Sequence, residues 1–374
     1  MIPEKKLNFD NLKTEVIEKG ICGRCGGCIS FCSANSIDAL EMGIDGLPRY
    51  SDQEKCLDCG LCYLVCPQIK ILNEEVKEEF GWKEPIGQYL DIFSVRTTDD
   101  EILDVATDGG FVTSLLINML ENHEIDGAIV SQKTGLFSRQ PIVATTREEL
   151  ISAAGSHFDE SPNLKEVGDN YSSYISVIKT LDKASTKKFS KLAVVGTPCQ
   201  INTIRKMQVL GIVPSDIIIF TIGLFCLQCF SLDDLMQKDF AQKHHLTLDD
   251  ISNLNIKEQF MLQMKSGITI NVPLSEIETI ARPACLVCET FSNEFADVAV
   301  GGLASPHGYT TVVVRSIAGK KMVADALYNR VIEHCDAENI HKSDVDKLKK
   351  LALIADFSNM KRERGKSYLE QIGR

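Results

Sequence analysis

The chain has 374 residues, with 40 Lys and Arg against 52 Asp and Glu for a net charge of −12, and 44% of it is hydrophobic. That is the make-up of a globular protein with room for two or three domains, and the acidic balance excludes nucleic acid as the main partner, because phosphate binding needs a basic surface. Of the 14 cysteines, eight fall between Cys22 and Cys66, clustered as ligands are and core residues are not.

No basic n-region followed by an apolar stretch opens the chain. No apolar run approaches the roughly 20 residues of a membrane helix. The longest, Ile217 to Cys229, is broken by Gly223 and Gln228 and reads as a buried strand and its exit. A cytosolic protein is expected, one that could dock on a membrane complex without spanning the bilayer; an oligomer is left open. Cytosolic thiols stay reduced, so cysteines at short regular spacing point to metal ligands over disulfides.

In chain order, a polar start becomes helical over Leu12 to Lys19, and the cysteine-rich stretch from Cys22 to Pro67 follows. Its Gly, Asp and Ser content is too turn-rich for a core of its own, so metal clusters are expected to hold it together. Ile71 to Glu84 is a charged, Pro- and Gly-punctuated boundary. Beyond it, Ile92–Arg96, Gly127–Gln132, Leu192–Gly196, Ile217–Ile222, Ile268–Val272, Asp297–Val300 and Thr310–Arg315 read as strands from their β-branched content. Phe111–Asn122 and Met322–His334 carry apolar residues at helical spacing. The spacing predicts a mixed α and β domain with one main sheet, closed by a terminal helix from Val345 with a basic end at Lys361, Arg362, Arg364 and Lys366.

One short repeat carries chemistry. Cys22-x-x-Cys25-x-x-Cys28-x-x-x-Cys32 recurs as Cys56-x-x-Cys59-x-x-Cys62-x-x-x-Cys66-Pro67. This is the dicluster pattern in which three cysteines on a tight loop bind one 4Fe-4S cube and the fourth crosses to the other. The expected sets are Cys22, Cys25, Cys28 and Cys66, and Cys56, Cys59, Cys62 and Cys32. Ser33 stands where the first motif usually has Pro, a position that shapes the turn and ligates nothing. A pair of zinc sites is the competing reading, and the rhythm suits cubes better.

Six cysteines remain. Spacing alone would pair Cys226-x-x-Cys229 with Cys285-x-x-Cys288 as a zinc or rubredoxin-like knuckle. Cys199, however, lies in Gly196-Thr197-Pro198-Cys199-Gln200, where a strand turns into a helix whose first amides favour a thiolate. Spacing does not choose between Cys199 and Cys229. Nor does any Gly-x-Gly-x-x-Gly follow a strand, so no Rossmann site is supported. Asp108-Gly109-Gly110 before the Phe111 helix, with Thr113, could cradle a phosphate or simply cap the helix, and Gly301 to Gly308 is a second Gly/Ser loop.

From about Gly87 to Arg315 the sequence resembles the beta subunit of coenzyme F420-reducing hydrogenase and its relatives in F420H2 dehydrogenase and F420-dependent sulfite reductase. The blocks that carry this are Asp108–Thr113, Ala153–Ser156 with Ser161–Asn163, Gly196–Gln200, Ile222–Cys226, Cys285–Cys288 and Ala296–Gly308, in the family's order. With the ferredoxin segment in front, the layout is most similar to the electron-input subunit of F420H2 dehydrogenase. The resemblance implies an α+β protein. A dicluster ferredoxin-like domain over 1–75 and a linker over 76–86 precede a mixed α/β flavin- and 4Fe-4S-binding domain over 87–344, with a helical tail over 345–374.

It also implies a third 4Fe-4S cluster on Cys199, Cys226, Cys285 and Cys288 beside an FAD, leaving Cys229 and Cys335 as small buried hydrophobes. FAD contacts would fall on Asp108, Gly109, Gly110, Thr113, Gly155, Ser156, Ser161, Asn163, Gly302, Ser305 and Gly308. The expected activity is oxidation of reduced coenzyme F420 at FAD, in either direction, with electrons passing through three clusters to ferredoxin or a partner redox subunit. A hydride donor gives two electrons together and a cluster takes one, so a flavin is the natural converter. The chain departs from the family at Ser156-His157-Phe158, Lys257-Glu258-Gln259-Phe260-Met261 and His307-Gly308-Tyr309. His157, Lys257, Arg282 and the basic end of the terminal helix are the candidates left to meet the coenzyme's anionic tail. The alternatives are another substrate on the same scaffold, or an electron-transfer adaptor with clusters and no flavin.

Overall fold

The computed structural model describes residues 7–43, 45–133, 139–155, 189–212, 215–229, 242–245, 250–278, 281–335 and 343–373. At the N-terminus a helix over Phe9–Leu12, capped by the Asn8 side chain, widens into a π-helical turn over Lys13–Ile17. Two short helices, Gly27–Ala34 and Leu61–Leu64, each start directly after a left-handed glycine, Gly26 (φ 74°) and Gly60 (φ 75°). Arg24 (φ 51°) and Asp58 (φ 49°) occupy the same region two residues earlier, so the two copies of the motif share one backbone path. Between them β1 (Leu40–Met42) and β2 (Pro48–Tyr50) form an antiparallel ribbon.

This segment does bury a core, contrary to what its turn-rich composition suggests. Phe9, Leu12 and Val16 from before Cys22 join Ile29, Leu40, Tyr63 and Leu64, and Tyr368, Leu369 and Ile372 from the far end of the chain pack against them. The stretch expected to be a linker is likewise packed. Residues Asn73–Glu79 are helical, Val76 and Ile86 are fully buried, and Trp82 Nε1 donates to Glu294.

The main sheet has eight strands, introduced here in chain order with the others: β3 (Asp91–Thr97), β4 (Gly127–Lys133), β5 (Arg139–Ala144), β6 (Leu192–Gly196), β7 (Ile218–Leu224), β8 (Ile251–Ile256), β9 (Phe260–Met264), β10 (Thr269–Val272), β11 (Val298–Gly301), β12 (Thr310–Val314) and β13 (Ile332–His334). Its order is β13-β3-β12-β11-β7-β6-β4-β5, with β4, β6, β7 and β11 parallel and the flanking pairs antiparallel. All seven expected strands exist, but β10 belongs to a separate three-stranded sheet with β9 and β8. The expected helix Met322–His334 runs over Ile317–Tyr328: Asn329 caps it, Arg330 turns left-handed (φ 57°), and the chain re-enters the sheet as β13. Cys335 therefore follows a strand, its N–H donating to Ser94 O at 3.0 Å.

Strand side chains alternate between the faces. Val298, Val300, Val312 and Val314 point to the helices Phe111–Glu121 and Ile317–Tyr328, while Ala299 and Val313 meet Ile354 of the terminal helix Ser343–Gln371. On β6, Leu192 and Val194 meet Ile201, Ile204 and Met207 of the helix Pro198–Val209. Both faces being covered, the inner strands read as continuous apolar runs. The C-terminal ends of β3, β6, β7 and β11 share one edge, where parallel sheets leave a crevice for ligands.

Candidate functional site

The ferredoxin-like segment brings its eight cysteines together as two sets. Burial pushes the Cys22 thiol up to about 11 and that of Cys28 well above the usual range; Cys25 adds to both, and Cys28 also feels Cys22, Cys62 and Cys66. Cys66, 34 positions beyond Cys32, is raised by burial and by Cys25 and Cys22. In the other set, burial pushes Cys62 up to about 12, with Cys59, Cys56 and Cys32 adding. Cys32, Cys56, Cys59 and Cys62 line one small, partly open pocket with Phe9, Phe31 and Leu40. Backbone amides point at sulfur, from Arg24 to Cys22 (3.4 Å) and from Ala39 to Cys32 (3.3 Å). Among the described residues no three His, Cys, Asp or Glu side chains close around a single metal ion. Crossed thiol sets, a cavity and amide donors to sulfur fit two cubes.

The third set is assembled at the crevice edge from three places in the chain. Cys199 is the second residue of the helix Pro198–Val209, entered from β6 through the capping residue Thr197, whose Oγ1 lies 3.1 Å from Cys199 Sγ. Cys226 leaves β7, and Cys285 and Cys288 flank the end of the short helix Pro283–Leu286. Asn293, buried, ties the first two together by donating to Gly196 O (2.9 Å) and Leu224 O (3.2 Å). Burial raises the Cys199 thiol, with Cys25, Cys288 and Cys226 adding and the Thr197 hydroxyl opposing. Cys285 is pulled down to about 5, first by a hydrogen bond from the Cys229 thiol and, against burial, by Arg282 and Lys361.

Cys229 is thus more than a small buried hydrophobe. Its thiol is hydrogen-bonded to those of Cys226 and Cys285, and its N–H donates to Cys285 Sγ at 3.3 Å. The terminal helix expected from Val345 is present over Ser343–Gln371, but sequence reasoning missed that it packs on the third cysteine set. Lys361 Nζ donates to Cys226 O at 2.5 Å, and Arg364 donates to Gln228 Oε1 (2.8 Å), Leu227 O (3.1 Å) and Cys285 O (3.2 Å). Arg362 donates to Pro85 O and Glu294. The basic end, expected to be free to meet an anionic coenzyme, is turned inward at Lys361, Arg362 and Arg364. A signal was present: Ile354, Ser358, Lys361 and Gly365 fall four, three and four residues apart, one helix face, and all are buried.

The loops expected to hold the flavin meet at the same edge. Gly109 donates to Thr310 Oγ1 (3.0 Å) and accepts from Thr97 N, so Asp108-Gly109-Gly110 is laid across β3 and β12 directly before the Phe111 helix, in which Thr113 is buried. A Cβ on Gly302 would sit 2.5 Å from Asp108 Oδ2. Lys257, at the β8–β9 turn, reaches Asp108 Oδ1 at 3.2 Å, both side chains mostly buried. Ser305 lies beneath, bonded to Ser94 (2.7 Å) and Thr311 (2.5 Å), and Gly308 faces open space. Gly301 packs against Phe225, the neighbour of Cys226, so this cradle and the third cysteine set share a wall.

Gly155 lies three residues beyond the Arg147–Ser152 helix, which Ala153 caps, and Ser156, His157, Ser161 and Asn163 lie outside the described residues. Arg282 belongs with the cysteines: it is buried, caps the helix that carries Cys285, and its charge favours the Cys285 and Cys22 thiolates.

The chain matches the family models for coenzyme F420 hydrogenase/dehydrogenase beta subunit N-term over residues 92–167 and C terminus over 189–340, and a 4Fe-4S dicluster domain over 14–67. It is 32% identical over 276 residues to the beta subunit of coenzyme F420 hydrogenase from Methanosarcina barkeri, covering 71% of this chain and 88% of that one. It is 29% identical over 377 residues to the coenzyme F420-dependent sulfite reductase of Methanocaldococcus jannaschii, matching 96% of this chain but only 52% of that protein's length. Its fold superposes with a TM-score of 0.64, at 27% identity, on a chain of the solved F420-reducing [NiFe] hydrogenase complex from Methanosarcina barkeri, covering 78% and 94% of the two chains. Among the described residues no helix is long and apolar enough to cross a membrane. With both halves of the subunit in order behind a dicluster domain, the chain belongs to the coenzyme F420 hydrogenase/dehydrogenase beta subunit family, a family of F420-linked oxidoreductases.

Proposed function

We propose that this chain oxidises reduced coenzyme F420 at FAD and passes the electrons singly through three 4Fe-4S clusters to ferredoxin or a partner redox subunit, in either direction. The observation that carries the reading is the contact between cysteine sets. Thr203 Oγ1 lies 3.6 Å from Cys25 Sγ and donates to Cys199 O at 2.9 Å, so one hydroxyl separates the third set from the ferredoxin-like pair. On the other side Phe225 and Gly301 separate it from the Asp108 cradle. The order is therefore cradle, Cys199 set, Cys22–Cys66 set, and the set that reaches the surface at Cys59 as the exit.

Asp108 to Thr113, Gly302, Ser305 and Gly308 would hold FAD, the first-turn amides of the Phe111 helix receiving its phosphates. Bound there, FAD supplies a centre that takes a hydride as an electron pair and releases electrons singly. Lys257 holds a positive charge at the mouth, paired to Asp108, and the coenzyme's anionic tail would compete for it. That pairing also favours a second reading, a substrate other than F420 on the same scaffold. Anaerobic stopped-flow separates the two: reduced F420 should bleach flavin and cluster absorbance in sequence. Bleaching by dithionite but not by reduced F420 would transfer the site to the second reading, and a protein yielding no FAD would reduce the chain to an adaptor.

A further inference from the structure

Lys361 is 1% exposed, although lysine is among the residues least often buried. Its Nζ donates to Cys226 O, and the thiols of Cys288, Cys226 and Cys285 are the anionic groups that face it. Among the described residues no carboxylate lies within ion-pair distance of it, whereas its neighbours Arg362 and Arg364 have Glu294 and Glu278. A buried ammonium without an anion is costly, and an apolar side chain of equal length would fill the same space without that cost. The anion it matches is the cysteine set itself. Two more cations converge there: Arg282, buried at the start of the Cys285 helix, and Arg364, which donates to Cys285 O.

We infer that Lys361, supported by Arg282 and Arg364, is a built-in counter-charge that raises the reduction potential of the cluster on Cys199, Cys226, Cys285 and Cys288. This rests on the reading of that set as a 4Fe-4S site. A cube with four thiolates is anionic, and its reduction adds one electron without breaking a bond or taking a proton, so its negative charge grows by one. A fixed cation in a dry site stabilises the reduced form more than the oxidised one, because the attraction scales with the charge and is little screened. The electron comes from the flavin side in turnover and from dithionite in a titration. Lys361 is thus a positioning and tuning residue: it clamps the Cys226 turn and makes the third centre a better acceptor for electrons leaving the cradle.

The test uses the full chain, reconstituted anaerobically, and reads iron, sulfide and midpoint potentials by EPR-monitored dithionite titration. Lys361→Gln keeps a donor for the Cys226 carbonyl and removes the charge; Lys361→Arg keeps the charge. The expected result is full iron in both, one of three midpoints shifted to more negative potential in Lys361→Gln, and its recovery in Lys361→Arg. Full iron with three wild-type midpoints in Lys361→Gln overturns the inference alone. Wild-type protein holding about eight irons rather than about twelve, at four per cube, overturns the underlying cluster assignment. Should Lys361→Gln lose iron, Arg364→Gln takes its place, and an unchanged third midpoint there overturns the inference.

Discussion

The two cysteine regions solve one problem in opposite ways. In the ferredoxin-like segment the thiols are written consecutively, and the same backbone path is used twice, with left-handed residues at Arg24 and Gly26 and again at Asp58 and Gly60. In the sheet domain the thiols leave separate elements, Cys199 after β6, Cys226 after β7, Cys285 on a short helix and Cys288 just beyond its end. The first set is encoded by spacing; the second is brought together only by the sheet, Asn293 and the terminal helix. A local loop can be held largely by its metal, whereas a site gathered from several elements is held by the fold.

The largest effects should therefore come from single thiols in each region, with different reach. Cys59→Ser is expected to remove one cube and leave the flavin and the third cluster, because Cys59 is exposed at the outer end. Cys285→Ser is expected to remove the inner cube, so that reduced F420 bleaches only the flavin and the outer clusters stay oxidised. Cys199→Ser should cost about four irons, one cube's worth, and Cys229→Ser few or none; iron lost only from the Cys229 variant would exchange their roles. The Cys229 thiol, hydrogen-bonded to Cys226 and Cys285, makes this the sharpest of the comparisons.

Asn293→Ala separates site from fold within the sheet domain. It leaves Gly196 O without this donor in a buried place, a loss of about 1–3 kcal/mol, and Leu224 O without it in a partly buried one. Thermal melting should fall by several degrees and the inner cube should be lost while the outer pair persists. A variant that melts early but keeps all its iron would show that the third site does not depend on this tie.

What the sequence made legible follows the same division. The outer cysteine sets, with Cys66 and Cys32 crossed, could be written from spacing because their geometry is local. The seven strands were legible because their β-branched runs stand out whether the pairing is parallel, as among β4, β6, β7 and β11, or antiparallel, as for β3, β10 and β12, and β13 was not, because Ile332–His334 continues an apolar helical rhythm that only Asn329 and Arg330 interrupt. The basic end was legible as a partner for an anion, but that Lys361 and Arg364 face the cysteines was not, because the surface a terminal helix packs on is set by the fold and not by its own spacing. Ion pairs such as Lys257 with Asp108 join residues 149 positions apart, and no local pattern announces them.

Gly27 tests the junction between the two regions. A Cβ there would lie 2.2 Å from Thr203 Cγ2, so Gly27→Ala must move the loop of Cys25 from the helix of Cys199 or turn the Thr203 side chain. The expected result is a stability loss of about 1–3 kcal/mol from overpacking, unchanged iron, and slower electron arrival at the outer clusters in stopped-flow. Thr203→Ser removes the clashing methyl and keeps the hydroxyl between the sets, so the double variant should regain most of both losses. Slow transfer that persists in the double variant would place the bottleneck elsewhere.

The smallest effect belongs to a pair remote from both regions and serves as the control for the others. Arg147 bridges Asp99 (2.6 Å) and Glu101 (3.1 Å), and its hydrogen bond, with the amides of Ile102 and Glu101, holds the Asp99 carboxyl below its usual range. A carboxylate whose pKa is lower folded than unfolded contributes stability above the unfolded value, near 4, and loses it as the pH falls through the folded one. The side chains are about one-third exposed, so solvent screens the pair and Arg147→Ala should cost only about 0.5 kcal/mol at neutral pH. That difference from wild type should shrink as the pH is lowered below about 4, with iron content and electron transfer unchanged in the neutral range. A loss of iron in Arg147→Ala would mean that any weakening of the sheet domain empties the third site, and the effects of Asn293 and Gly27 would then report general stability and not the junction they touch.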